Sequence, residues 1–275
     1  MKKGFLFCFG YFLLFIVFSC AKEENSFDEG QVEIEYSDEA SMANIFYSKI
    51  YQISRNEVEY IESIEEIGPD NKEHMSLNDS CAKTYYYLDS NNIFISYLEI
   101  VFNDTGCISR GRKKFGKLKV YLTGGLNEPG TFMTIIPEGF FLKGKKVEGT
   151  IVVNNLGFNQ NHMLEYNKKV IDGKICLNAN RYFTWNSNAL IKIDFFKQEM
   201  TYETNAEAIN RNGRSYTVGT IEPLVSGFNC RYFQSGELEL KSDWGLHQIL
   251  DFGDEDCDNK AMLWQDLKTV DLDLY

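Results

Sequence analysis

Five carboxylates crowd into eight positions near the C-terminus: Asp251, Asp254, Glu255, Asp256 and Asp258. Hard oxygen ligands at alternate positions, here Asp254, Asp256 and Asp258, are the donor set that Ca²⁺ takes. A helix–loop–helix calcium loop starting at Asp254 would need Gly at its sixth position and Glu at its twelfth, where the chain has Asn259 and Gln265. The cluster therefore reads better as an acidic, solvated turn beside Cys257. Ca²⁺ is a weak alternative, and no cofactor is expected. Aromatic runs are the second group able to do chemistry: Tyr85-Tyr86-Tyr87, Phe140-Phe141, Tyr182-Phe183-Thr184-Trp185, Phe195-Phe196 and Trp244. Neighbours in a strand point to opposite faces, so each run divides between core and surface. Outward members, with Tyr86, Trp185 and Trp244 as candidates, would make a stacking platform for glycans or a patch for a protein. Core filling and cross-strand pairing are the alternative.

Motifs for catalysis are missing from the sequence. It has no Gly-x-Ser-x-Gly elbow, His-Glu-x-x-His, phosphate loop or dinucleotide fingerprint. His74, His162 and His247 show no metal spacing; His74 is expected in a loop near Pro69 and the other two in or beside strands. Carboxylates are plentiful, but nothing selects a glycosidase pair among them. A noncatalytic binding or structural module is expected, with an envelope glycosidase or other hydrolase as the minor alternative.

A different chemistry is written at the N-terminus. Lys2-Lys3 precede an uncharged, Phe- and Leu-rich run from Gly4 to Phe18, and Ser19-Cys20 follow it. The run is shorter than the roughly 20 residues that cross a bilayer as a helix, so it fits the core of an export signal. Val17-Phe18-Ser19-Cys20 resembles a bacterial lipobox, in which cleavage exposes the cysteine and its thiol is acylated. Val17 and Ser19 suit that pattern, while bulky Phe18 stands where a small or aliphatic residue is usual. An ordinary signal peptide cut nearby, with Cys20 incidental, is the alternative. Residues 1–19 are read as a lipoprotein signal peptide and Cys20 as the lipidation site. Two or three acyl chains, palmitate among them, would anchor stably where one binds only marginally.

Residues 20–36 are polar and acidic, too poor in apolar side chains to offset their ordering entropy, and are expected to form a flexible tether. Lys22-Glu23-Glu24 resembles the short Lys/acidic export signal that follows the lipidated cysteine in surface lipoproteins of Bacteroidota. That resemblance implies a lipid anchor in the outer membrane and display at the cell surface, with the periplasmic face as the other address. The 28 basic and 40 acidic side chains give a net charge of −12, and removal of the two lysines with residues 1–19 makes it more negative. Such a charge keeps a tethered protein soluble and argues against nucleic acid, whose phosphates demand a basic face. The expected partners are the membrane, through the lipid, and a glycan or protein ligand.

Cys81, Cys107, Cys176, Cys230 and Cys257 remain, in a compartment that permits disulfides. Zinc would want short Cys-x2–4-Cys pairs, and the chain has none. Separations of 26 between Cys81 and Cys107 and 27 between Cys230 and Cys257 suggest two local bridges. Each would be worth about 3–4 kcal/mol in the chain-entropy model. Cys176, inside the apolar Ile175-Cys176-Leu177, is expected to be a buried, inert thiol.

These elements need a scaffold. Met42, Ile45, Phe46, Ile50, Ile53, Ile61 and Ile64 recur every three or four positions, which predicts an amphipathic helix over 37–67. Ser37 or Asp38 is available as its cap and Gly68-Pro69 as its stop. Period-two alternation follows: Leu118, Val120 and Leu122; Ile191, Ile193 and Phe195; Leu238 and Leu240. Lys143-Gly144, Asp172-Gly173 and Asn212-Gly213 read as turns, the last as a two-residue hairpin turn. About twelve to fifteen closely spaced strands from Ala82 onward make the chain mainly β. An antiparallel β-sandwich or a curved, barrel-like sheet is expected, with one N-terminal helix, in a single body over 37–275.

Val101-Phe102-Asn103-Asp104-Thr105-Gly106-Cys107 is echoed by Asp251-Phe252-Gly253-Asp254-Glu255-Asp256-Cys257, as if a bridged β-unit were duplicated; coincidence in a β-rich chain is the alternative. Together with Gly111-Arg112, Gly116-Lys117-Leu118, Val147-Glu148-Gly149-Thr150, Asn210-Arg211-Asn212-Gly213 and Glu222-Pro223-Leu224-Val225, these segments resemble a family of Bacteroidota lipoproteins with no assigned activity. The resemblance covers roughly Cys81 to Leu274. Asn103 stands where the family usually has glycine, and Glu255-Asp256 replace a Gly-Thr-like pair. It implies location and an all-β fold, and no catalytic residues.

Overall fold

The structure, a computed structural model, describes residues 32–64, 72–76, 81–88, 96–109 and 112–274. Cys20, the signal segment and the tether up to residue 31 lie outside the described residues, as does Gly68-Pro69. The helix, α1, spans Ile34–Ser63. It begins inside the segment expected as tether. Neither Ser37 nor Asp38 is its cap: Glu33 holds that position without a side-chain bond, and the Ser37 hydroxyl donates back to the Ile34 carbonyl at 2.9 Å. Its large apolar stripe from Met42 to Ile61 is buried, with Ile64 half-buried just past the helix end, but burial runs further round, and every residue from Ala40 to Ser48 is buried. Ala40, Ser41, Ala43 and Ser48 make this feasible, because small side chains let a second wall of strands approach the helix closely. No helix among the described residues is long and apolar enough to cross a membrane.

The strands that surround it are β1 (Lys72–Met75), β2 (Ala82–Leu88), β3 (Ser96–Ser109), β4 (Arg112–Leu122) and β5 (Phe132–Leu142). Next come β6 (Lys145–Phe158), β7 (Leu164–Cys176), β8 (Tyr182–Asp194), β9 (Glu199–Ile209) and β10 (Ser215–Gly227). The last are β11 (Ser235–Lys241), β12 (His247–Asp254), β13 (Lys260–Gln265) and β14 (Lys268–Asp273). Each pairs antiparallel with its sequence neighbours, so the order across the sheet is the order along the chain. A meander needs only hairpin connections, and among the described residues no crossover helix interrupts the strand texture. This is one open antiparallel sheet with β1 and β14 at its edges, neither a two-sheet sandwich nor a closed barrel.

The sheet curves about α1, and side chains from widely separated strands reach the helix. Thr84 of β2 and Ser76 donate to the Glu57 carboxylate toward its C-terminal end. Midway, Lys168 of β7 donates to Ser48 and Tyr166 packs on Tyr51. At the start of the helix, Gln248 of β12 donates to the Glu33 carbonyl, and Gln265 of β13 accepts from the Glu33 amide. The inner face of the sheet is the one read from alternation: Leu118, Val120, Leu122, Ile191, Ile193, Leu238 and Leu240 are all buried. Phe195 departs from the pattern, because β8 ends before it and its ring is exposed.

The turn signals divide. Lys143-Gly144 forms the β5–β6 turn with positive φ at both residues. The β9–β10 connection is a longer loop, Asn210–Arg214, in which the Asn210 side chain accepts from the amides of Asn212 and Arg214. Asp172-Gly173 is not a turn. It lies within β7 as a bulge, with Asp172 at φ 51° and its amide donating to Asn186. The bulge brings the Gly173 backbone onto its neighbours, and a Cβ there would lie 2.3 Å from the Trp185 carbonyl oxygen and 2.7 Å from the Tyr47 hydroxyl. Gly173→Ala should therefore lower the unfolding free energy by about 1–3 kcal/mol through overpacking. A denaturant midpoint equal to wild type would refute this.

Cys81 and Cys107 are bridged, with Cα atoms 5.6 Å apart, and so are Cys230 and Cys257 at 5.7 Å. One bridge closes the β2–β3 hairpin and the other the β11–β12 hairpin, so the sequence echo corresponds to a matched pair of stapled hairpins toward opposite edges. Phe102 and Phe252 are both buried within them. Beyond the bridges the two units diverge: Leu118 is buried in β4, whereas Leu267 sits fully exposed on the β13–β14 turn. Cys176 is unpaired and half-exposed at the end of β7, not buried.

Candidate functional site

The three aromatic candidates do not form a platform. Trp185 is 1% exposed. It shares the inward parity of Phe183, Ile191 and Ile193 in β8, so it is core, and Tyr182 is the outward member of its run. Tyr86 pairs in register with buried Leu98 and packs against the core. Tyr85 and Tyr87 have the outward parity of its run; Tyr87 stacks on Tyr97 at 5.4 Å, and Tyr97 stacks on Tyr121 at 4.7 Å. Those three rings cover one another's faces across β2, β3 and β4, which is cross-strand pairing rather than an open stacking surface.

Trp244 is 41% exposed, but its ring is committed. Its Nε1 donates to the Ser215 carbonyl at 3.1 Å, Tyr36 of α1 lies 5.4 Å away, and the Arg214 guanidinium sits 5.1 Å from its centroid. It braces the entry of the helix.

Asp254, Asp256 and Asp258 are not gathered into a metal site: among the described residues no three His, Cys, Asp or Glu side chains could hold an ion together. Asp251 and Asp258 instead accept from backbone amides two residues on, at 2.8 and 2.9 Å, the local turn bonds typical of short acidic side chains. His74 lies in β1 rather than in a loop, His162 sits in the turn before β7, and exposed His247 at the start of β12 bonds Glu239.

What the sheet does assemble is a groove on its outer face, across β7 to β11. It has a volume of about 550 Å³, within the roughly 300–1,000 Å³ of small-molecule sites. Register builds it. Lys169 pairs with Asn188, Asn188 with Asn205, Asn205 with Gly219 and Gly219 with Glu239. One step along, Asn186 pairs with Glu207, Glu207 with Thr217 and Thr217 with Lys241.

Charge in the groove is balanced. Two lysines and two glutamates line it, and Lys241 bonds Glu239 at 2.7 Å. The hydrogen bond from Lys241, helped by His247 against a smaller burial effect, holds the Glu239 carboxyl below the usual carboxylate range. A cavity between helix and sheet, beside Ser48, Tyr202 and Arg231, is about 20 Å³ and has room for little more than a water.

Sequence reasoning passed over this groove. Two local signals were present: Asn186 and Asn188 alternate on one face of β8, and Gly219 interrupts the period-two run of β10. The five strands that contribute lie along more than seventy positions of chain, and only the register brings them together. No family model matches the chain, and it matches no curated protein and no solved structure, so the groove stands on its own geometry.

Proposed function

We propose that the chain is a lipid-anchored cell-envelope protein whose body serves as a noncatalytic binding module. The anchor rests on Lys2-Lys3, the apolar run and Val17-Phe18-Ser19-Cys20; Lys22-Glu23-Glu24 favours the outer surface, in the manner of Bacteroidota surface lipoproteins. The observation that carries the binding role is the charge-balanced groove on the outer face of a sheet whose inner face is already filled by α1. A hydrolase would need a carboxyl pair of which one member keeps its proton near neutral pH. In the groove Glu239 is shifted the opposite way by Lys241.

Growth of the producing bacterium with labelled palmitate tests the anchor. The full chain should incorporate label, Cys20→Ala should lose it, and protease added to intact cells should remove the wild-type body. Label retained in Cys20→Ala, or a wild-type chain that takes up none, would overturn the anchor.

A further inference from the structure

Gly219 is the residue in the groove that needs explaining. It sits inside β10, in register with Asn205 on one side and Glu239 on the other. Glycine in a strand interior costs stability and marks a bulge, a bend or a close approach. Several strand glycines here have such reasons: Gly116 and Gly149 take φ values of 88° and 113°, and Gly173 abuts the Trp185 carbonyl. Gly219 has neither. Its φ is not left-handed, and a Cβ would meet only the Asn205 side-chain oxygen, at an ordinary 3.6 Å. The bulge of β10 begins after it, between Gly219 and Leu224. The missing side chain keeps the groove floor open.

Around that opening the polar groups are amides with unused capacity. Asn205 makes no side-chain hydrogen bond among the described residues. Asn188 accepts from Asn167 at 2.9 Å through its oxygen, and Asn186 accepts from the Asp172 amide at 2.7 Å; both residues line the groove, and neither NH₂ group is bonded among the described residues. A side-chain amide both donates and accepts. Several of them beside a hydroxyl, with no net charge, complement a ligand dense in neutral hydroxyls. A peptide added as a strand requires a free edge, and the floor strands β8, β9 and β10 are each already paired on both sides.

We infer that the groove centred on Gly219 binds a neutral carbohydrate, with the Asn186, Asn188 and Asn205 amides reading its hydroxyls. This rests on the binding-module reading and names its ligand class.

The test is an array of neutral and anionic oligosaccharides probed with the full chain in detergent, for wild type, Gly219→Val and Asn205→Ala. Valine suits the extended backbone, so Gly219→Val should melt no lower than wild type. Binding to neutral glycans that falls at least about tenfold in both variants, equivalent to the loss of one or two hydrogen bonds, supports the inference. Neutral-glycan binding that survives Gly219→Val places the site elsewhere and overturns the groove while the binding-module reading stands. Wild-type binding confined to anionic glycans, or absent from the array, overturns the carbohydrate assignment. In the last case, retention of an envelope protein by the wild-type chain would still leave it a binding module, and retention of nothing would count against both.

Discussion

Arg211→Ala is expected to lower the unfolding free energy by about 2–3 kcal/mol at pH 8 but only about 1–2 kcal/mol at pH 5. Arg211 sits on the β9–β10 loop, which clamps the first turns of α1. Asn210 and Asn212 donate to Glu35 at 2.8 Å, Arg211 Nη2 donates to Asp38 at 3.1 Å, and Arg211 Nε donates to Glu39. The Glu39 side chain is 0% exposed, and its second oxygen has no partner. Burial pushes its carboxyl up to about 7 from the ordinary 4.5, with the Arg211 hydrogen bond offsetting only part of the shift. A folded-state value above the unfolded one means that the contribution of Glu39 is complete below about pH 4.5 and is lost as pH rises toward 7. Without Arg211 the offset disappears, and at pH 8 the fold must bury an unpaired carboxylate or take up a proton. At pH 5 the acid is neutral in either protein, and only hydrogen bonds and packing are lost. Denaturant titrations at the two pH values read the difference, and in a Glu39→Gln background the penalty should no longer depend on pH. Equal penalties at pH 5 and pH 8 in the wild-type background would refute the account.

That clamp shows what one sequence can and cannot disclose. Asn212-Gly213 announces a turn, but nothing local says that the turn will seize a helix 172 positions upstream through Glu39. The strands were legible because a meander with one buried face writes its parity directly, as in Leu118, Val120 and Leu122. Parity failed where both sets are aromatic: in Tyr182-Phe183-Thr184-Trp185 the sequence does not say which pair faces inward, and the inward pair holds Trp185. For α1 the large apolar stripe was visible. Ser41, Asn44 and Ser48 carry no apolar signal, yet they are buried. The stapled hairpins could be read from cysteine spacing, since a bridge closing one hairpin has a fixed reach. The groove could not, because its lining residues become neighbours only once five strands are in register.

Lys168→Met is expected to raise the unfolding free energy by about 2–3 kcal/mol at pH 7, with a gain that fades toward pH 10.5. Lys168 points from β7 into the space between sheet and helix, where its ammonium donates to Ser48 at 2.9 Å and lies 5.8 Å from the centroid of the Tyr202 ring. No ion pair with a carboxylate compensates it among the described residues, and burial pulls it down to about 8 from 10.5. Between those values the unfolded chain binds more protons than the folded one, so wild-type stability rises with pH across that window. Below pH 8 the fold carries the full cost of a buried ammonium, offset by one hydrogen bond and the ring. Methionine matches the length of the side chain and removes that cost, while Ser48 loses a donor worth about 1 kcal/mol. Urea titrations at pH 7, 9 and 10 check the trend; a variant less stable than wild type at pH 7 would overturn it. Lys169 faces the groove because Lys168 faces the helix. The parity of β7 is set by Leu164, Tyr166 and Val170, whose buried side chains a one-residue slip would turn out to solvent, and with that parity comes the pairing of Lys169 with Asn188 on the groove floor.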